Sequence, residues 1–165
     1  QTTQYIPLPC GMYNIKIYTM NNNLLLNENV NIFGSKLISI MQNQMGNFEL
    51  RITDDMGMFQ MPEVRDTQIA GRARVRFAHF SPNLPVVDIT LPNGNVLFRN
   101  IGYNTITDYI TIAPGSYNLQ VRVAGTNQVI QMIPMFVLSA NDTKTIYAIG
   151  LINGNPMLET IIVND

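Results

Sequence analysis

Three residues of this sequence could form a hydrolytic centre: His79, Ser81 and Asp88. Their types match a base, a nucleophile and an orienting carboxylate, which act only when hydrogen-bonded in series. The local pattern argues against that arrangement. Ser81 precedes Pro82 and lacks the G-x-S-x-G elbow that projects a nucleophilic serine from the end of a strand. Alternation places His79 on the apolar side of its segment with Val75 and Phe77, while Asp88 points away from Val87 and Ile89. The expectation is a structural histidine, a turn-capping serine, no catalytic residue and no enzyme activity.

Metal and cofactor chemistry is equally thin. The single histidine and the single cysteine, Cys10, lie in different parts of the chain, so no His/Cys ligand set is expected. Asp54, Asp55 and Asp66 lack the D-x-D-x-D-G spacing of a calcium loop. Met56, Met58 and Met61 are soft enough for Cu(I), but read better as adaptable packing residues in a docking segment. Arg72, Arg74 and Arg76 fall on one strand face, as a solvated face or an inter-subunit ion-pair site. With 10 basic residues in all and a net charge of −1, they make no nucleic-acid footprint.

Composition points to association. Charged residues are only 13% of the chain, about half the usual share, and 20 asparagines stand in their place. Uncharged amide surfaces hydrogen-bond well and repel weakly. A lone Cys10 forms no internal disulfide and reads as a small turn residue beside Gly11, or as a cross-link between chains. No apolar run reaches the roughly 20 residues of a membrane helix. The sequence opens on Gln1 rather than Met, as expected if either processing or the choice of the expressed segment has removed residues upstream.

The elements that must position these residues are strands. Tyr109–Val123, YITIAPGSYNLQVRV, reads as strand, tight turn, strand. The same unit occurs at Tyr5–Thr19, YIPLPCGMYNIKIYT, at an offset of 104 (109−5). A second pair of matching segments follows, Lys36–Asp55 and Lys144–Asp165, each passing a Gly-Asn turn at Gly46 or Gly154. From residue 73 onward the pattern gives seven or eight short strands. They include Arg74–His79, Val87–Leu91, Val96–Phe98 and Ile106–Ile112, an Asn93-Gly94 hairpin whose turn accepts positive φ, and an edge strand marked by Pro134. No helical stripe appears. This is the sequence pattern of a β-sandwich.

The stretch ARVRFAHFSPNLPVVDI at Ala73–Ile89, followed by DYITIAPGSYNLQV, resembles the bacterial domain-of-unknown-function family 4397. The resemblance covers all of 73–165, whereas residues 1–55 match only the second half of the family pattern. It implies a secreted or cell-surface β-sandwich and implies no reaction.

Fold and function are therefore expected as follows. The chain is all-β, an immunoglobulin-like or transthyretin-like sandwich in one and a half tandem units: a C-terminal half at 1–55, a linker at 56–72 and a complete unit at 73–165. A half unit exposes its inner faces and leaves ladder hydrogen bonds open. The missing half is cleaved, supplied by the linker, or supplied by a neighbour through strand addition. The expected function is a structural subunit of an extracellular, cell-surface or spore-surface fibre or layer. Its partner is itself, head to tail, with other surface proteins as further partners. Tyr5, Ile6, Leu8, Cys10, Met56, Met58, Phe59 and Met61 are the candidate assembly residues. The alternative is a monomeric adhesin-like module for glycan or protein.

Overall fold

The computed structural model describes residues 6–43, 45–54 and 71–165. They belong to two compact units, Gln1–Met61 and Pro62–Asp165, and every regular element among them is a strand. The first unit holds β1 (Gly11–Tyr18), β2 (Leu24–Ile32), β3 (Lys36–Gln42) and β4 (Phe48–Asp54). Two antiparallel hairpins result. Gly11 faces Ile32 in one, and Lys36 faces Asp54 in the other. Period-2 alternation puts Tyr13, Ile15 and Ile17 on one face of β1, all half-buried, with Met12, Asn14 and Lys16 outside.

The second unit holds β5 (Ala73–His79), β6 (Val87–Thr90), β7 (Val96–Ile101), β8 (Thr105–Ile106) and β9 (Ile110–Ile112). It continues with β10 (Gly115–Val123), β11 (Val129–Leu138), β12 (Thr143–Ile149) and β13 (Glu159–Asn164). One sheet runs β11-β10-β6-β7. The other runs β13-β12-β5, with β8 and β9 both pairing with β5. The β5–β12 pair is parallel and the rest are antiparallel. Val75, Phe77, Ile146 and Ala148 of this second sheet meet Val87, Ile89, Leu119, Val121 and Phe136 of the first in one buried cluster. Two sheets closing on a shared apolar layer make a β-sandwich.

Local chemistry explains the details that alternation alone does not give. The third strand runs on to Ile101. The expected strand Ile106–Ile112 is broken in two, because Thr107 takes over the ladder with its side chain: its Oγ1 accepts from the Phe77 amide at 3.0 Å. In the Asn93-Gly94 hairpin only Gly94 takes a positive φ, 90°, so the turn is a three-residue loop rather than a two-residue one. Pro134 does sit on an edge strand, β11. There the register slips between Tyr117 and Leu119, Met135 adopts φ 50°, and Asn118 Oδ1 accepts the freed Met135 amide at 3.0 Å.

Asparagine has a conformational role in this fold. Asn22, Asn100, Asn104, Asn141 and Asn153 all occupy the left-handed region, which asparagine tolerates better than most residues.

Candidate assembly site

The first unit repeats the second half of the second unit strand for strand. Gly11 and Gly115 open β1 and β10 with nearly the same φ, 158° and 157°. Two residues later Tyr13 donates to the Pro9 carbonyl at 2.6 Å and Tyr117 to the Ala113 carbonyl at 2.7 Å. The same ring thus closes the same corner in both copies. The hairpin β3–β4 corresponds to β12–β13: Lys36 faces Asp54 as Lys144 faces Asn164.

What differs is the company these strands keep. In the second unit β10 lies between β11 and β6, and β12 lies between β13 and β5. Among the described residues β1 pairs with β2 alone, and β3 with β4 alone. Among the described residues no strand takes the edges that β6 and β5 occupy in the second unit, while Leu26, Val30, Ile32 and Met41 of β2 and β3 are buried. At an offset of 108 (144−36), Ile38 and Ile40 stand where Ile146 and Ala148 stand. Ile38 is 36% exposed against 0% for Ile146, and Ile40 is 53% exposed against 1% for Ala148. Burying a fully exposed isoleucine is worth about 1.5–3 kcal/mol, and covering these two would gain the share that is still exposed. The segment Ile6–Leu8 shows the same deficit. Its counterpart β9 pairs with β5. Ile6 and Leu8, which match Ile110 and Ile112, form no strand and are 73% and 49% exposed.

Of the expected assembly residues, Ile6 and Leu8 are exposed and Cys10 is exposed at the bend before β1. Tyr5, Met56, Met58, Phe59 and Met61 lie outside the described residues, as does the linker 56–72 apart from Gly71 and Arg72.

The residues first considered for chemistry are each held by the scaffold. His79 is fully buried; its Nε2–H donates to the Pro85 carbonyl at 3.1 Å and its ring meets Tyr103 edge-on. Burial lowers its pKa below the usual 6.5 and keeps the ring neutral. Ser81 Oγ donates to the Gly150 carbonyl at 2.7 Å. Asp88 is on the outer face, as alternation requires, yet buried. Its Oδ1 accepts from the Asn100 amide at 2.8 Å and its Oδ2 from the Gly125 amide at 3.0 Å, so it ties the β6–β7 and β10–β11 ends together. None of the three bonds to another among the described residues. Nor do those residues contain a group of three or more acidic, histidine or cysteine side chains able to hold a metal. Among the described residues no helix is long and apolar enough to cross a membrane.

Arg76 corrects the expectation of a solvated or inter-subunit cation. It is buried within the second unit. Its Nε donates to Thr145 Oγ1 at 2.8 Å, its Nη2 lies 3.9 Å from Asp165 Oδ2, and its guanidinium sits 4.6 Å from the Tyr109 ring centre. Thr145 Oγ1 and Tyr109 OH both donate to Asp165 Oδ2 at 2.5 Å. Burial, and then the Asp165 carboxylate, push the Tyr109 phenol well above its ordinary pKa. Alternation identified the outer face correctly but carried no sign that a distant tyrosine and aspartate would cover it.

No curated protein matches the sequence. Among solved structures, the C-terminal domain of AlgF from P. aeruginosa is similar at 17% identity with a TM-score of 0.45, over 58% of this chain and 99% of that one. A family model described as a domain of unknown function, DUF4397, matches residues 1–90 and again 73–165. With its repeated corner and its complete sandwich at the C-terminal end, the chain belongs to the DUF4397 family.

Proposed function

We propose that the chain is a structural subunit of an extracellular assembly, a fibre or layer at a bacterial cell or spore surface. In it the first unit is closed by strands from a neighbouring subunit. One observation carries this reading: residues that form the sandwich core in the second unit have repeat counterparts, Ile38 and Ile40, that are exposed in the first, on a strand that pairs with β4 alone among the described residues. Open edges are templates for strand addition, with backbone hydrogen bonds giving affinity and alternate side chains giving specificity. An acceptor at one end of a subunit makes a head-to-tail contact, which grows into rings or open fibres.

The test is fractionation of cells that make the protein. The expected result is recovery of the chain in surface material, in a high-mass form that survives mild detergent and dissociates only in denaturant. Recovery as a soluble monomer from the medium or the cytoplasm would overturn the proposal.

A second reading, a monomeric binding module for glycan or protein, draws on a polar depression on the outer face of the β6–β10 sheet. Thr90, Arg99, Arg122, Thr126 and Asn127 line it, and the buried Thr90 hydroxyl has no hydrogen-bond partner there. A monomer that retains one glycan or protein through Arg99 would favour this reading.

A further inference from the structure

The outer face of the second unit gathers two arginines around a strand that gives them no counter-charge. β6 is flanked by β7 and β10. Its side chains alternate, so Val87 and Ile89 enter the core while Asp88 and Thr90 face outward. On β10, Arg122 stands opposite Asp88 and Gln120 opposite Thr90. Arg99 comes from β7 on the other side. With the turn at Gly125, Thr126 and Asn127 they border a depression of about 250 Å³.

The polar groups of this depression are unevenly satisfied. Both Asp88 oxygens are taken by backbone amides, those of Asn100 and Gly125, and neither arginine forms an ion pair among the described residues. Arg122 is held by neutral partners. Its Nε and Nη2 donate to Gln120 Oε1 at 3.0 and 2.6 Å, and its Nη1 to Asn127 Oδ1 at 3.2 Å. These bonds fix the guanidinium and leave N–H groups to spare. Arg99 is exposed and bonds to nothing among the described residues. Thr90 is 2% exposed, and its Oγ1 has no hydrogen-bond partner. A buried hydroxyl is costly to leave unpaired, and a ligand that bonds to it removes that cost.

We infer that this depression binds a small hydroxy acid, a carboxylate with a hydroxyl beside it. Arg99 and Arg122 hold the carboxylate from the two sides of β6, by the planar fork that arginine presents to carboxylates. Thr90, turned about its Cα–Cβ bond, gives its hydroxyl to the ligand's own. Two arginines against one aspartate leave a single positive charge, which suits a monoanion better than a phosphate dianion. The volume falls below the roughly 300–1,000 Å³ usual for larger ligands, so the occupant is a free acid of a few carbons. The inference gives the binding-module reading a ligand class, resting on the same depression. It is independent of the assembly reading, because every group in the site belongs to the second unit.

The test is an NMR titration of the whole chain, at constant ionic strength, with lactate, its neutral analogue lactamide, and inorganic phosphate. Lactate should shift the Gly125 and Thr126 amides and the Arg99 and Arg122 Nε–H signals, and should saturate at roughly millimolar concentration, as a ligand of so few atoms allows. Lactamide and phosphate should bind at least tenfold more weakly. Arg99→Gln changes an exposed, unbonded side chain, so the fold should stand while lactate binding weakens at least tenfold. Thr90→Val should weaken it about fivefold and leave the urea-unfolding midpoint unchanged or raised, because the hydroxyl it removes bonds to nothing in the folded chain. Lactate shifts that never saturate would overturn the inference, as would equal binding of lactamide or phosphate, or binding untouched by Arg99→Gln. So would a lowered midpoint for Thr90→Val, because that hydroxyl would then already be bonded. A failed titration strikes this inference and not the assembly reading, which no group of the site enters.

Discussion

Ile38 and Ile146 offer one perturbation made twice in the same fold. They are the same residue type at equivalent repeat positions, opposite Ile52 and Ile162 on their hairpin partners. Ile146→Ala removes a side chain that is fully buried in the shared core. Truncation there loses the transfer free energy and leaves a cavity, about 2–5 kcal/mol together. Ile38→Ala removes a side chain that is 36% exposed. The loss there scales with the buried part of the side chain, about 1–2 kcal/mol. The gap corresponds to roughly tenfold or more in the opening equilibrium of each unit. Hydrogen exchange measured by mass spectrometry on dilute protein separates the units, because peptides from β3 and β12 report their own opening. Exchange in β12 should rise far more for Ile146→Ala than exchange in β3 rises for Ile38→Ala. An equal rise would refute the reasoning, because it would mean that Ile38 is covered in the isolated chain.

Three further outcomes follow from the second unit. Asp88→Ala strips the acceptor from two backbone amides, those of Asn100 and Gly125, and should lower the urea-unfolding free energy by about 2–5 kcal/mol; a loss below about 0.5 kcal/mol would contradict its tying role. His79 has a folded-state pKa below 6.5, so the unfolded chain binds the extra proton. Stability should therefore be complete above that pH and fall as the pH drops through it. His79→Gln should flatten that slope in urea titrations between about pH 5 and 7, within the window its lowered pKa sets. Tyr109 has a folded-state pKa raised above 10, so the folded chain keeps a proton that the unfolded chain releases. Stability should decline above pH 10, and Tyr109→Phe should remove that alkaline decline while losing the bond to Asp165.

The strands, the repeat and the edge position of Pro134 were legible in the sequence because each is a local signal. Alternation, a turn glycine followed two residues on by tyrosine, and a residue without an amide hydrogen all act over a few positions. The break at Thr107 was not legible. It depends on a side chain substituting for the backbone opposite Phe77, a partner 30 residues away. The burial of Arg76 and Asp88 was hidden for a related reason. Both alternate outward, and only the folded chain brings Tyr109 and Asp165 over one and the Gly125 amide to the other. Asparagine enrichment was read as a surface property, yet several asparagines are required where the backbone turns left-handed. The open half of the first unit was legible as a missing motif. What the structure added is the contrast at equivalent positions: Ile38 and Ile40 are 36% and 53% exposed where Ile146 and Ala148 are buried.

Amide exchange resolved by residue on the dilute purified chain tests the open first unit most directly. The amides of β1 and β3 that point away from their hairpin partners should exchange within about tenfold of an unfolded peptide, as unpaired edges do. Their counterparts in β10 and β12, held by β6 and β5, should be slower by about a thousandfold or more, as expected for core strands of a stable domain. Equal protection in the two units would contradict the account, because the first unit would then already be closed.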